Sequence, residues 1–409
     1  HGAALVTRSG TNEIHGNAFW FYRTPGLNAN RWQDNFNGLG RNKFIQHIFG
    51  GSVGGPVVKN KLFYFANWQE LRATQAITQT ATVLTQTARQ GIFRYATSGR
   101  NLPAGVPGAS VDFSGNAVVP VGSYNVVNSD PARRGLDRTV AAEIAQTPLP
   151  NRFDLGDGLN TAGFVFRPIE TERQRDLTFK GDYVINDRNT VYGRVYWGFQ
   201  DTQCDSVNGG LPRVPGAPCL VTTTRDPLNL AFNWRTTPAA TITNELVVGL
   251  SKFKFGFPNP VQDINRNTLS TGLITIPNAY TFGNARELRT YQFVDNLSWF
   301  AGKHAFKFGI NFRFVQHLDE RGSIGGQNSA PIVDFSTAIN AVDPVAFGFP
   351  TAGLNTQFDR PRLETYVNLM LGRVGNYSQA FVADGGSFRK GLFEFDSRFY
   401  EYDFYIQDS

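Results

Sequence analysis

The sequence predicts an all-β protein, an antiparallel transmembrane β-barrel seen in part as about ten strands, with short periplasmic turns and long extracellular loops carrying short helices. Three observations lead there. Stretches rich in Phe and Tyr recur along the chain and alternate apolar with polar residues at a period of two. Their connections alternate between a few residues and polar segments of about 20 to 100, which places every short connection on one rim. The composition sets 35 Phe against a single Met, and 13% of the 409 residues are aromatic, as lipid-facing walls and interfacial girdles require. No window approaches the roughly 18 apolar residues of a membrane helix. A mean hydropathy of -0.28 does not oppose a membrane barrel, whose strands need only about 9 to 11 alternating residues.

The strands follow in order. His15 to Tyr22 is the first, and Phe44 to Val53 leads through GGPVVKNK into Leu62 to Trp68. Asp176 to Tyr183 sets Leu177, Phe179 and Tyr183 against Asp176, Thr178, Lys180 and Asp182, then turns at Asn186, Asp187 and Arg188. Val191 to Phe199 sets Val191, Val195, Trp197 and Phe199 against Tyr192, Arg194 and Tyr196. Leu228 to Thr236 and Ile242 to Phe255 join around Thr237 to Ala240. Tyr291 to Phe300 and His304 to Gln316 are separated by Ala301, Gly302 and Lys303, a hairpin with a three-residue connection. In the second of these, Phe306, Phe308, Ile310, Phe312 and Phe314 share one face and Lys307, Asn311 and Arg313 the other. Phe399 to Ile406 is the tenth strand.

Two helices are expected in the long connections. Asp130 caps one with Pro131 at its first position, so that Leu136, Val140 and Ile144 share a face. Leu363 to Arg373 forms another. Five long loops on one rim suggest a capture surface.

Lys180, Asp182, Arg194, Lys307, Asn311 and Arg313 are therefore candidate lumen-facing, substrate-binding residues. The 39 Lys and Arg against 33 Asp and Glu give a net charge of +6 with no basic block, which argues against a nucleic-acid partner. Cys204 and Cys219 stand in a Gly and Pro-rich segment. A disulfide there would contribute about 3 kcal/mol and imply an oxidising compartment; two unpaired thiols are the alternative.

No catalytic residue, metal site or cofactor is expected. Gly50 to Gly54 matches the G-x-S-x-G pattern around Ser52, but GPVVKNK and an aromatic strand follow it instead of the helix that a nucleophile elbow needs. The same glycines fit neither phosphate-binding fingerprint. His1, His15, His47, His304 and His317 show no ligand spacing. The pairs Asp154 with Asp157 and Asp319 with Glu320 read as solvated loop charges, with a loop calcium site left open.

Specific residues then add a resemblance. VTRSGTNEIHGNAFWFYR (Val6 to Arg23), LNANRW, FGGSVGGPVVKNKLFYFANWQELR (Phe49 to Arg72) and LSWFAGKHAFKFGINFRF (Leu297 to Phe314) closely resemble TonB-dependent outer-membrane receptors of the Oar-like group. The resemblance implies that residues 1 to 12 are the end of a plug domain. Residues 13 to 409 would be the N-terminal part of a barrel of about 22 strands. Its partners would be the TonB complex, reached through parts outside this chain, the lipid of a Gram-negative outer membrane, and a large extracellular ligand. Siderophore, oligosaccharide, peptide and exported protein all remain open as that ligand. A surface adhesion or secretion-linked barrel is the rival reading, and a secreted β-rich hydrolase a more distant one. With His1 at the start, no secretion signal, and a last strand ending in YIQDS, the chain reads as a fragment or processed product.

Overall fold

The computed structural model describes residues 7–36 and 38–409, so residues 1–6 of the expected plug end lie outside the described residues. Ten antiparallel strands form one sheet in sequential order: β1 (His15–Arg23), β2 (Phe44–Val58), β3 (Leu62–Ala76), β4 (Ile169–Asn186), β5 (Asn189–Gln203), β6 (Thr223–Ala239), β7 (Ile242–Gly256), β8 (Asn284–Ala301), β9 (His304–Arg321) and β10 (Phe393–Gln407). β1 and β10 are its two edges. All four short turns fall on one rim, as the alternation of connection lengths predicts.

The strands outrun the aromatic stretches at both ends. Asn186 pairs with Asn189, Ala239 with Ile242 and Ala301 with His304, which leaves two-residue turns. The three-residue connection expected at Ala301 to Lys303 is thus shortened, because the ladder extends to Ala301. Gly302 takes φ +64° inside that turn, the left-handed conformation favoured in tight hairpins.

β2 explains the glycine run around Ser52. Pressed between β1 and β3, a Cβ on Gly51 would stand 2.7 Å from the Asn17 carbonyl oxygen, and one on Gly50 would collide with the Trp68 carbonyl. Ser52 sits mid-strand with its Oγ 2.5 Å from Asn17 Oδ1. Close backbone approach, not chemistry, accounts for the small residues.

Cross-strand register sorts the wall into two faces. Tyr64, Gly181, Gly193, Phe232, Val248, Phe293, Phe312 and Tyr402 lie on one continuous rung of the outer face. On each strand from β3 to β10 that face changes from apolar to polar at one step away from the short turns. The change runs from Trp68 to Glu70, Leu177 to Arg175, Phe199 to Asp201, Leu228 to Asp226, Leu250 to Lys252, Tyr291 to Arg289, Phe314 to Gln316 and Tyr400 to Arg398. Asp295 interrupts the apolar band, and it accepts a 2.8 Å hydrogen bond from Asn244.

The hydrophobic core is not in the wall. It lies in the long loops, which fold together into one cap. Leu84, Phe93, Tyr124, Val140, Ile144, Ile274, Phe335, Phe349, Leu363 and Tyr366 are buried in a single cluster drawn from segments 77–168, 257–283 and 322–392. Helices α1 (Arg138–Ala145) and α2 (Asp359–Met370) pack into it. The Asp137 N–H donates to the Met370 carbonyl at 2.9 Å, Thr275 N–H to Thr82 O at 2.8 Å, and the Tyr366 hydroxyl to the Ala88 carbonyl. Loop 204–222 joins through Val214, buried with Ala81 and Val83.

The cap corrects the helix expectations. α1 starts eight residues after Asp130, and its cap is Asp137, whose side chain accepts from Val140 N–H at 2.9 Å. Asp130 instead ends a short helical turn, Val126–Ser129, and holds Arg134 at 2.9 Å. That guanidinium, together with backbone N–H groups, depresses the Asp130 carboxyl to about 2 despite its burial. Val140 and Ile144 are buried as expected, with Leu136 packed against the same core. α2 begins four residues before Leu363, and Pro361 is accommodated in its first turn, where no helical N–H is required.

Candidate functional site

The inner face of the wall collects the polar members of the period-two pattern. Lys180 is paired in register with Arg194, and Asp182 with Tyr192, so three of the candidate residues share one patch on β4 and β5. Lys180 Nζ is 2.9 Å from Asp182 Oδ1 and 4.7 Å from the centroid of the Tyr192 ring. Arg194 donates to Asn229 Oδ1 at 2.6 Å, and Tyr196 donates to Asp176 Oδ1 at 2.6 Å.

The chain's own N-terminal segment lies on this patch. Lys180 Nζ donates to Ser9 Oγ at 2.6 Å, and Arg194 to Thr7 Oγ1 at 3.4 Å. Gly10 is so close to the backbones of β2 and β3 that a Cβ there would stand 2.7 Å from the Gly55 carbonyl oxygen. The inner face beneath the segment is not purely polar, since Phe65 reaches Gly54 next to Gly10.

Asn311 and Arg313 form a second patch on β8, β9 and β10. Asn311 accepts from Gln292 and donates to Asp403, both at 2.9 Å, and Arg313 pairs with Glu401. Lys307 has the same facing but joins neither patch, standing opposite Ser298 and Gln407 nearer the short turns. Buried polar atoms remain without a partner in both patches, namely Asp182 Oδ2, Arg194 Nε and Arg313 Nε. Such atoms are costly to bury dry. Water on the inner face would satisfy them.

A third group lies nearer the cap, where Asp319 takes Arg286 Nε at 3.2 Å and Arg321 Nη2 at 2.6 Å. Asp319 is therefore a buried, doubly paired wall residue and not a solvated loop charge. Asp157 is also buried, accepting from Asn160 N–H at 2.7 Å, while Asp154 is held by Arg152 at 2.5 Å. Asp319, Asp154 and Asp157 are held by arginines and amides, which corrects the solvated reading for these three, whereas Glu320 is exposed as expected but lies at the end of β9 and not in a loop. Among the described residues, no group of three or more His, Cys, Asp or Glu side chains has a metal-binding arrangement. Cys204 and Cys219 lie in the cap with Cα atoms 4.9 Å apart and are joined as a disulfide.

Asn229, Gln292, Glu401, Asp403 and Asp319 are the inner-face partners that sequence reasoning did not select. Their signal is register. Each becomes visible only when the polar phase of one strand is aligned with that of its neighbour.

Comparison with known proteins agrees with this architecture. Residues 6–409 match the family described as outer membrane beta barrel domain. The TonB-dependent transporter Oar of Myxococcus xanthus is 44% identical over 69 residues, covering 15% of this chain and 6% of Oar. Two crystal structures of the ferric-catecholate import receptor Fiu of E. coli K12 are similar at 10% identity. The closed form has a TM-score of 0.38 and the open form 0.36; each aligns with 97% of this chain, which spans 43% and 47% of their respective lengths. The chain thus spans a small part of the curated relative and less than half of these receptors. The strand-built wall, its lipid-compatible outer face and the match across nearly its whole length place this chain in the outer membrane of a Gram-negative bacterium, as a member of the outer membrane beta-barrel domain family.

Proposed function

We propose that this chain is part of a TonB-dependent outer-membrane receptor of the Oar-like group, one that captures a large ligand at the cell surface and moves it inward with energy relayed by TonB. In this reading residues 1–12 are the end of a plug, and residues 13–409 contribute wall strands whose two free edges pair with further strands. The observation that carries it is the seating of Thr7 and Ser9 on Arg194 and Lys180, which runs the N-terminal segment along the inner face. The 44% identity to Oar supports the same assignment.

Mechanistically, the cap would make first contact with the ligand. The inner patches, rich in paired charges with spare donors and acceptors, would then offer exchangeable hydrogen bonds to a polar ligand as the plug shifts. The segment at Thr7 and Ser9 would be the moving end of that plug, released from Lys180 and Arg194 without breaking the wall's own backbone ladder.

The test is ligand accumulation by cells carrying the complete protein, with and without TonB. The reading expects surface binding in both and uptake only with TonB. Uptake that survives loss of TonB, or surface binding never followed by uptake, would transfer the assignment to the adhesion or secretion-linked barrel.

A further inference from the structure

The outer face holds a polar assembly that the transport reading does not use. On β3 and β4, one step beyond the last apolar rung of Trp68 and Leu177, Glu70 is surrounded by three arginines. Its Oε1 takes Arg72 Nε at 2.7 Å and Arg173 Nε at 2.9 Å, and its Oε2 takes Arg175 Nε at 3.2 Å. The carboxylate is nearly closed off, with 3% of its side chain exposed, whereas the arginines are 57%, 47% and 34% exposed. Glu70 is thus a floor that orients three guanidinium groups. Each faces it through Nε, and among the described residues their terminal nitrogens meet no other acceptor.

Neighbouring charge does not cancel the assembly. Asp201 on β5 stands opposite Arg173, so three arginines face two carboxylates and one positive charge remains. Arg72 also lies 5.5 Å over the Phe49 ring, and Trp20 stacks on His47 beside it. The guanidinium groups therefore sit where the wall passes from apolar and aromatic to charged, the level of membrane headgroups.

We propose that Arg72, Arg173 and Arg175 form a binding site for the phosphate group of an anionic lipid in the outer leaflet. Planar guanidinium groups with free terminal N–H donors match phosphate oxygens in pairs, which a single lysine cannot do. The apolar rungs of Trp68, Leu177 and Phe179 just below would receive the lipid's acyl chains. This inference rests on the position of the membrane boundary and is independent of what the barrel transports.

The experiment is native mass spectrometry of the complete protein extracted in detergent and titrated with a bis-phosphorylated glucosamine lipid. The dephosphorylated lipid and inorganic phosphate serve as the other two arms. The wild type should retain the phosphorylated lipid in preference to the dephosphorylated one. The double variant Arg173→Gln/Arg175→Gln should lose roughly tenfold or more of that affinity, while Arg173→Lys/Arg175→Lys, which keeps charge without the planar fork, should lose less. Migration of unheated protein on a gel confirms that each variant is folded; should the Gln pair fail to fold, Arg72→Gln replaces it. Equal retention of the two lipids, or undiminished affinity in the folded Gln variant, would overturn the proposal. So would inorganic phosphate displacing the lipid at comparable concentration, which would make the site one for a soluble anion.

Discussion

The cap and the wall use the same apolar side chains in opposite directions. In the cap, Phe93, Leu363 and Tyr366 are fully buried against residues from distant loops. In the wall, Phe179, Trp197, Phe232 and Tyr402 are between 44% and 63% exposed on the outer face. Water drives the first arrangement, because removing apolar surface from it is favourable. Lipid permits the second, since a hydrocarbon surround makes an exposed Phe costless and an exposed charge expensive. A sequence of alternating Phe and polar residues therefore states which solvent each face meets.

The largest expected effect tests the cap as a separate folding unit. Phe93→Ala should cost about 3 to 5 kcal/mol by opening a cavity beside Tyr366. Hydrogen exchange of the protein in lipid should then show loss of protection throughout 77–168 and 322–392, with the wall strands unchanged. If protection in β4 and β5 fell in parallel, the division into cap and wall would be broken.

Next comes the wall's own facing. Phe312→Arg should cost about 2 to 4 kcal/mol near the bilayer midplane. Arg313→Ala, one residue on and facing inward, exchanges one exposed ion pair with Glu401 and should cost below about 1 kcal/mol. Refolding titrations into vesicles measure both, and equal costs would invalidate the face assignment.

Much of the wall was legible because a strand has no choice of period. Once Phe308 and Phe312 face lipid, Asn311 and Arg313 must face away. What the residues could not reveal is contact at long range. Asp359 accepts from Asn101 N–H at 2.9 Å, 258 positions distant, and nothing local to either residue announces it. The same holds for Asp319, which looked like a loop charge because the strand pattern fades before β9 ends at Arg321. The helix cap was misplaced for a chemical reason. Asp130 with Pro131 has the right local form, but the Asp130 carboxylate is more strongly satisfied by Arg134 and by the N–H groups of Ala132 and Arg134, which leaves capping to Asp137.

The cross-link at Cys204 and Cys219 gives a smaller contrast. Reduction, or Cys204→Ser, should remove at most about 3 kcal/mol, the value for closing a loop of this size in the unfolded chain. The loss should appear as faster proteolysis within 204–222, whose Val214 packs on Ala81 and Val83, and should leave the wall's resistance to heat unchanged. Unaltered proteolysis would mean that packing alone holds the loop.

The smallest effect separates the two regions by pH. Asp130 lies in the cap with its carboxyl lowered from 3.8 to about 2, first by the hydrogen bond from Arg134. A carboxyl depressed on folding contributes stability that is fully present above its ordinary value and disappears as pH falls through the folded value. Arg134 is 45% exposed, so solvent screening reduces the contribution to about 1 kcal/mol. Asp130→Asn should therefore lower the cap's unfolding temperature at pH 7, and the gap from wild type should close between about pH 4 and pH 2. A gap that persists below pH 2 would show that the side chain holds the cap by hydrogen bonding that Asn disrupts, and not by its charge. The wall carries arginine-paired carboxylates of its own, among them Glu70 and Asp319, so the control is that its unfolding in the Asp130→Asn variant follows the wild type at every pH of the same scan.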